Sequence, residues 1–228
     1  MIGIVSDVHG NLPALRSVLN RLDALGCTEI LSLGDVVGYY AQPAECVDVL
    51  RERGIANILG NHDRYIVLGE DCPRSRVVSE LLRYQRGVLS DKHVRWLAAS
   101  RDYIVRSGIY FVHGGWKDHV DQYLYEVTED DIPNDADIFF AGHTHVQTKL
   151  DIGGKTFCNP GSVGQPRDGD PRAAFALLSG NDIELHRVEY DIEETAFRMR
   201  RAGFPESYYK NLFIGAQIGG RIDKIVAA

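Results

Sequence analysis

The sequence has no long apolar run, and none of its apolar stretches approaches the roughly 20 residues that a membrane-spanning helix requires. It also has no basic leader followed by an apolar segment at its start. There, MIGIVSDVHG reaches Asp7 and His9 directly after a short apolar run. These absences predict a protein without a membrane anchor that resides in the cytoplasm.

Cysteine is sparse, and the four cysteines form no C-x-x-C pair. Their spacing matches neither a disulfide framework nor a zinc knuckle. Cys27 and Cys46 fall in predicted helices and Cys158 in a predicted strand, so we expect small buried hydrophobic side chains there. The cysteine pattern therefore predicts a reduced protein without structural zinc.

The sequence also has no excess of basic residues, and its formal net charge is -7 at pH 7. Surfaces that bind a nucleic-acid backbone are usually basic, so the charge argues against nucleic acid as the main partner. A small anionic substrate is compatible with this charge, because a bound metal ion supplies positive charge locally. With 44% hydrophobic and 25% charged residues, the composition is typical of a globular protein with a packed core.

The order of the predicted elements is that of an α/β protein. The apolar runs MIGIVS, EILSLGD and ANILGNHD alternate with segments of helical periodicity, which predicts a largely parallel sheet. A helical segment is expected at about residues 74–99, with Ser90 as an N-cap. The second half is rich in strands, including AAFALL, and predicts a second sheet packed on the first. A last helix is expected at residues 191–203, and the tail from 215 to 228 matches no pattern.

Potential metal ligands stand where five predicted strands end, which is where ligand sites form in open α/β sheets. They are Asp7, His9, Asp35, Asn61, His62, Asp63, His113, His143 and His145. Any one of these residues alone is more often a turn former or a surface residue, but their joint placement is hard to explain that way. Carboxylates, imidazoles and an amide without a thiolate favour Mn, Fe or Zn over copper or a structural zinc site. A carboxylate shared by two ions would allow them to clamp a phosphoryl group.

The ordered motifs DVH, GDVVG, GNHD, VHGG and GHTH resemble those of the calcineurin-like metallophosphoesterase superfamily. The stretch NPGSVGQPRDG resembles its small bacterial and archaeal phosphodiesterase-like branch, and the likeness extends to about residue 190. The resemblance implies a four-layer α/β/β/α sandwich, in which two mixed β-sheets are flanked by helices. We expect one domain over residues 1–228, with a helical cap at about 74–99 and a C-terminal helix and tail at about 191–228.

The resemblance also implies two divalent metal ions, Mn, Fe or Zn, with a defined set of ligands. The ligands of the first ion would be Asp7, His9 and His145. The ligands of the second would be Asn61, His113 and His143, with Asp35 bridging both ions. We expect the chain at His143 and His145 to be extended, so that both side chains face the same side and serve both ions.

Other residues would act on the substrate. The resemblance implies that His62 protonates the leaving oxygen and that a metal-bound hydroxide attacks in line. Asp63 would orient His62 and stabilise its charged form. Asn11 is a candidate for a phosphate contact or for the N-cap of the first helix. Arg167 would bind a phosphate or lie in solvent on a turn, and Tyr39 would stack on a base or sugar or pack against the following helix.

Two departures from the motifs of the protein-phosphatase branch narrow the range of expected substrates. The second motif continues as GDVVGYY without an arginine, and the third ends in Asp63 where that branch has glutamate. This favours a phosphodiesterase or a hydrolase of a nucleotide, such as a dinucleoside polyphosphate. The alternative is a broad phosphomonoesterase or a Ser/Thr protein phosphatase. A non-catalytic scaffold ranks last because every motif residue is present, and a homo-oligomer is expected only because dimers are common.

Overall fold

The structure is a computed structural model that describes all of residues 1–228. Its strands are β1 (Ile2–Val5), β2 (Glu29–Ser32), β3 (Ala56–Asn57), β4 (Tyr103–Arg106), β5 (Ile109–Val112), β6 (Glu126–Val127), β7 (Ile138–Ala141), β8 (Thr148–Ile152), β9 (Lys155–Asn159), β10 (Ala173–Ser179), β11 (Asp182–Val188) and β12 (Val226–Ala227). Its α-helices are α1 (Leu12–Ala24), α2 (Pro43–Glu52), α3 (Asn61–Leu68), α4 (Arg76–Val88), α5 (Asp91–Ala98) and α6 (Ile192–Arg201). None of these helices combines the length and the apolar character that crossing a bilayer requires.

The first sheet has the strand order β11-β10-β1-β2-β3. Strands β1, β2 and β3 are parallel, as the alternation of strands and helices predicts. Strand β10, which contains AAFALL, joins this sheet antiparallel to β1, with Ile4 opposite Ala176. The predicted second sheet is present, but two of the later strands, β10 and β11, belong to the first sheet. Strand β10 is buried at six successive positions from Ala173 to Leu178, so it requires an interior place in a sheet, and the free edge of β1 supplies it.

The second sheet has the order β4-β5-β7-β9-β8 and faces the first sheet across an apolar core. In that core, Phe111 of β5 and Phe140 of β7 stack with ring centroids 5.1 Å apart, against Ile4 and Leu31 of the first sheet. Helices α1 and α2 cover the outer face of the first sheet. Residues 114–136, which include a 3-10 helix at Glu129–Asp131, cover the outer face of the second. Two five-stranded mixed sheets flanked by helices are the fold that the resemblance implied.

The third motif folds differently from the sequence-based expectation. Strand β3 contains only Ala56 and Asn57, and helix α3 begins at Asn61 after the N-cap Gly60. A Cβ at position 60 would lie 2.1 Å from the Asp35 Oδ1, so only glycine allows this close approach. As a result, Asn61 and His62 occupy the first turn of a helix, whose free N–H groups and dipole face Asp35.

The predicted helical cap consists of two helices with different surroundings. A cleft beside the metal-ligand candidates is lined by Arg74 and Ser75, which precede α4, and by Val77 and Val78 in its first turn. Helix α5, with Ser90 as its N-cap as predicted, packs against α2 and α3 instead. Gln85 of α4 accepts from the Gly38 N–H at 2.7 Å and donates to the Tyr40 carbonyl at 2.8 Å. Helix α4 therefore fixes the loop that follows β2.

The C-terminal tail, which no sequence pattern described, returns to the edge of this cleft. After α6, two short 3-10 helices lead to Gly215, and the chain then runs along the cleft from Gln217 to Arg221. It ends in β12, which pairs parallel with β6.

Candidate metal centre and substrate cleft

All seven predicted metal ligands come together at one edge of the two sheets, and none is more than 3% exposed. They lie in the loops after β1, β2, β5 and β7 and in the first turn of α3. Adjacent carboxyl ends of parallel strands meet at the same sheet edge, which explains why residues distant in sequence converge.

The backbone at these positions is unusual. Six non-glycine residues have a positive φ, and five of them are predicted ligands: Asp7, His9, Asp35, His143 and His145. The left-handed conformation costs about 1–2 kcal/mol for such residues, so the surrounding structure must impose it. The expectation of an extended chain at His143 and His145 is wrong, since their φ angles are 65° and 61°. Tight turns, rather than strand alternation, bring both rings into the centre.

The first ligand group contains Asp7, His9 and His145. The Nε2 atoms of the two histidines lie 3.0 Å apart, and the Asp7 Oδ1 is 3.2 Å from the His145 Nε2. Each Nδ1 contacts a backbone carbonyl, of Val37 at 2.8 Å and of Gln165 at 2.7 Å. Because a carbonyl can only accept, both Nδ1 atoms carry the proton and both Nε2 atoms present a lone pair to the same point.

The second ligand group contains Asn61, His113 and His143. The His113 Nε2 lies 3.2 Å from the Asn61 Oδ1 and 3.1 Å from the His143 Nδ1. The His113 Nδ1 donates to the Leu33 carbonyl at 2.9 Å. The second group thus also directs nitrogen and oxygen lone pairs to one point.

Asp35 lies between the two groups. Its Oδ2 is 3.4 Å from the His113 Nε2 and 3.7 Å from the His9 Nε2, so one oxygen faces both. Its Oδ1 accepts from the His62 backbone N–H at 2.8 Å, which ties the carboxylate to the start of α3. This geometry is that of a carboxylate able to bridge two ions.

His143 differs from the other histidines in its outer contacts. Its Nε2 is buried without a hydrogen-bond partner, and the Asp121 Oδ1 lies 3.8 Å away. Asp121 forms a two-point ion pair with Arg74, at 2.6 and 2.5 Å, and Arg74 lies over the ring of Tyr123. The Tyr123 ring in turn covers the His143 ring at a centroid distance of 3.9 Å.

These residues fit divalent metal ions. The Asp7 Oδ1 and the Asp35 Oδ2 are buried and have no hydrogen-bond partner, although each faces histidine nitrogens. Burial raises the pKa of both carboxyls, but His145 beside Asp7 and His113 beside Asp35 outweigh it and hold both pKa values well below the usual range. Burial also lowers the pKa of His9 and of His143. Ionised carboxylates and neutral imidazoles are the forms that bind metals.

His113 shows how strongly the centre attracts positive charge. Burial lowers its pKa, but the Asp35 and Asp7 carboxylates outweigh this effect and raise the pKa of His113 to about 9. A cation bound at the two groups would satisfy the same carboxylates in place of a proton.

His62 lies beside the centre and lines the cleft. Its Nε2 is 4.0 Å from the Asp35 Oδ2, close enough that His9, Asp35 and His62 also form a group that could hold an ion. Its Nδ1 is buried without a partner, because Gly38 packs so closely that a Cβ there would lie 2.5 Å from it. Burial lowers the pKa of His62 to about 4.

Asp63 does not contact the His62 ring, so the prediction that it orients His62 directly does not agree with the structure. Its carboxylate accepts from the Val37 N–H at 3.2 Å, the Gly60 N–H at 3.3 Å and the Asn57 amide at 3.4 Å. Adjacent helical residues point about 100° apart, which turns Asp63 toward the interior while His62 faces the cleft. Asp63 therefore joins the loops after β2 and β3.

The cleft in front of the centre has a volume of about 670 Å³. Its lining residues are Tyr39, Asn61, His62, Cys72, Arg74, Ser75, Val77, Val78, Tyr123, Tyr125, Gln165, Arg167, Gln217, Ile218 and Arg221. The sequence did not identify Tyr123, Tyr125 or the tail residues Gln217, Ile218 and Arg221 as part of the cleft. They carry no motif, and only the fold brings them to the cleft.

The three weaker substrate candidates have different surroundings. Asn11 is N-cap of α1, and its side chain is fully used by Ala14, Gly164 and Thr195, away from the cleft. Tyr39 lines the cleft, with its ring 4.7 Å from the His9 ring and 4.9 Å from the His62 ring.

Arg167 lines the cleft as well and is only 6% exposed, which rules out the solvated-turn alternative. Its guanidinium donates to the Gln165 side chain and to the Tyr39 hydroxyl, and it has no carboxylate partner. Its backbone N–H donates to the His145 carbonyl at 3.1 Å, which places it beside the first ligand group.

Comparison with known proteins agrees with this architecture. The family model described as the calcineurin-like phosphoesterase superfamily domain matches residues 1–182. An uncharacterized protein of Methanocaldococcus jannaschii is 33% identical over 94% of this chain and 98% of its own length. The phosphodiesterase YfcE of Escherichia coli K12 is 27% identical over 78% of this chain and 86% of its own length.

The crystal structure of a metallophosphoesterase from Sphaerobacter thermophilus superposes with a TM-score of 0.81 at 33% identity, covering 94% of this chain and 98% of the other. The match extends over the whole sheet region and beyond the end of the family model. The chain therefore belongs to the calcineurin-like phosphoesterase superfamily and is a metal-dependent phosphoesterase.

Proposed function

We propose that this protein hydrolyses a small phosphodiester or nucleotide at a centre of two divalent metal ions, with Mn as the first choice among Mn, Fe and Zn. The proposal includes a cytoplasmic location. The observation that carries it is the pair of ligand groups on either side of Asp35, which opens into a cleft of about 670 Å³. That volume suits a nucleotide-sized ligand better than a protein or a nucleic-acid duplex.

The seven ligands have distinct roles in this proposal. Asp7, His9 and His145 hold one ion, Asn61, His113 and His143 hold the other, and Asp35 bridges them. Bound there, the ions would withdraw charge from the phosphoryl oxygens and supply a nucleophilic water at neutral pH. The backbone carbonyls behind His9, His113 and His145 fix which ring nitrogen faces inward, so the centre is formed before substrate arrives.

His62 is the proposed proton donor to the leaving oxygen. It borders the cleft at the first turn of α3 and faces the same space as the ligands. Its ring is held between Tyr39, at 4.9 Å, and Tyr65, at 6.0 Å. A negatively charged phosphoryl group at the centre would counteract the burial that lowers the pKa of His62, and would favour its protonated form.

Arg167 and Tyr39 are the proposed substrate contacts. A buried guanidinium without a carboxylate partner is costly, and an anionic substrate group would supply the missing charge. The ring of Tyr39 faces the cleft and offers a stacking surface for a base or a sugar. The similarity to YfcE, which is named as a phosphodiesterase, supports the choice of a diester.

The test compares bis-p-nitrophenyl phosphate with p-nitrophenyl phosphate, using metal-stripped protein to which Mn has been returned. We expect hydrolysis of the diester with a higher kcat/KM than of the monoester, and loss of both activities with chelator. A preference for the monoester would contradict the proposal and indicate a phosphomonoesterase.

Arg167 has matched variants for this assay. We expect Arg167→Ala to raise KM for the diester about 10-fold or more, because a charge-assisted hydrogen bond to substrate is lost. Arg167→Lys should restore part of the charge but not the planar two-point geometry, so its KM should be intermediate. Equal KM values in all three proteins would exclude this contact.

A further inference from the structure

The cleft is completed by residues that lie outside the matched family domain. The family model ends at residue 182, whereas the cleft lining includes Gln217, Ile218 and Arg221. The tail therefore contributes one wall of the site in which we propose that hydrolysis occurs.

The tail is fixed on both sides of this wall. Gly215 has a φ of 59° and accepts from the Gly169 N–H at 2.9 Å, and a Cβ at position 215 would lie 2.6 Å from the Asp170 backbone. Beyond the wall, the Asp223 N–H donates to the Arg167 carbonyl at 2.7 Å, and Ile225 is buried in the core behind the second sheet. The tail and the loop that carries Arg167 thus hold each other in place.

The charges of the lining residues are unlike those of the whole chain. The chain has a net charge of -7, yet the lining contains Arg74, Arg167 and Arg221 and no aspartate or glutamate. Arg74 is paired with Asp121, and the Nε of Arg221 lies 2.8 Å from Asp223. Arg167 is the buried one and has no carboxylate partner. Since Arg167 is the proposed contact of the reacting phosphoryl group, the charge of Arg221 remains for a further anionic group.

The position of Arg221 suits that further group. Its side chain is 65% exposed at the cleft edge, so its guanidinium can reorient toward a ligand without leaving a buried cavity. Gln217, on the same wall, donates one amide N–H to the Asp223 carboxylate and has a second amide N–H for a ligand. Tyr123 and Tyr125 stack with ring centroids 5.6 Å apart and add an aromatic surface to the cleft, with the Tyr125 carbonyl accepting from the Val226 N–H of the tail at 3.0 Å.

We propose that the tail residues Arg221 and Gln217 form a subsite for a second phosphoryl group, next to the one that Arg167 contacts, so that the substrate is a nucleotide containing a diphosphate. This inference rests on the proposed function and specifies its substrate class. Hydrolysis of such a substrate would form one bond from phosphorus to the oxygen of water and break the bond to the bridging oxygen. The bridging oxygen would take up a proton, and two phosphorylated products would leave.

The test measures binding, so that turnover does not complicate it. Isothermal titration would compare α,β-methylene-ADP, whose bridging carbon resists hydrolysis, with AMP on Mn-loaded protein at the same free Mn concentration. We expect the unmodified protein to bind the diphosphate analogue more tightly than AMP. Arg221→Ala should weaken binding of the analogue about 10-fold, the effect of one charge-assisted contact, and change AMP binding much less.

The control is Lys224→Ala, which removes the same charge from an exposed position of the tail that does not line the cleft. It should leave both affinities unchanged. Equal affinity for the two ligands in the unmodified protein, or an equal loss for both in Arg221→Ala, would overturn the subsite.

The subsite and the proposed phosphodiesterase activity are tested by different measurements, so either can fail without the other. Hydrolysis of bis-p-nitrophenyl phosphate by the unmodified protein tests the phosphodiesterase activity and requires no second phosphoryl group. A preference for the analogue without diester hydrolysis would support the subsite and refute the phosphodiesterase. Diester hydrolysis without the preference would do the reverse.

Discussion

The two ligand groups on either side of Asp35 contain similar side chains, but they are held differently. In the first group, the outer Nδ1–H of each histidine donates to a backbone carbonyl, and the Asp7 Oδ2 accepts from the Ser6 hydroxyl at 2.6 Å. In the second group, only His113 has a carbonyl partner, and the outer nitrogen of His143 has none. Outer contacts fix the tautomer and orientation of a ligand, so the second ion should be bound more weakly than the first.

The largest expected effect comes from the residue that the two groups share. Asp35→Ala removes the carboxylate that we propose to bridge the ions, so we expect both ions to be lost and turnover of the diester to fall at least about 1000-fold. Elemental analysis of the purified variant would measure the metal content. Asp130→Ala, at an exposed position of the 3-10 helix, is the control and should retain both ions. Retention of two ions by Asp35→Ala would show that the groups do not depend on the bridge.

Replacement of His62 separates chemistry from metal binding. His62→Ala should lower kcat about 100- to 10,000-fold, the usual contribution of general acid catalysis, while both ions remain bound. The comparison variant is His9→Ala, which should lose an ion as well as activity. Because His62 also lies near His9 and Asp35, loss of an ion in His62→Ala would identify it as a ligand and not as the proton donor.

The difference between the groups should widen when Asp121 is replaced. Asp121→Ala removes the carboxylate nearest to the outer nitrogen of His143. Because this carboxylate and the nitrogen are 3.8 Å apart and not hydrogen-bonded, we expect the weaker Mn affinity to fall by at most about 10-fold while the stronger one is unchanged. Titration calorimetry would resolve the two affinities.

Arg74→Ala is the matched control for that variant, since it breaks the same ion pair but leaves Asp121 free to approach His143. The affinity for the more weakly bound Mn ion should then stay the same or increase. A decrease as large as that in Asp121→Ala would assign the effect to the ion pair rather than to His143.

The smallest expected effect concerns stability. Metal ions that bind only the folded state stabilise it by about 2.7 kcal/mol at 100 times their Kd, which corresponds to an increase in Tm of about 5–10 °C for a chain of this length. Calorimetric scans with Mn and with chelator would measure the difference. The same scans on Asp35→Ala should show little response to Mn, and a full response would contradict the ligand assignment.

The fold class and the location of the centre could be predicted from the sequence, because short apolar runs that end in Asp, Asn or His identify strand ends directly. The local backbone could not. The positive φ angles at Asp7 and His143 result from tight turns imposed by neighbouring loops, and residue type alone would place both in extended chain. The inward direction of Asp63 likewise depends on helix α3, which begins at Asn61 within GNHD, where the sequence predicts the end of a strand.

The walls of the cleft were beyond prediction for a different reason. Tyr123 and Arg221 belong to no motif, and they reach the cleft only through pairing between β12 and β6 and through the order of strands in the second sheet. Such long-range pairing is set by tertiary packing, which a single sequence does not display. The placement of β10 beside β1 escaped prediction for the same reason.

The most direct test of a two-ion centre with unequal halves is a Mn titration of metal-stripped protein, with heat and hydrolysis of bis-p-nitrophenyl phosphate followed together. We expect two equivalents of Mn to bind, the first with higher affinity than the second, and activity to appear as the second binds. Full activity with a single equivalent, or one binding event only, would contradict this expectation.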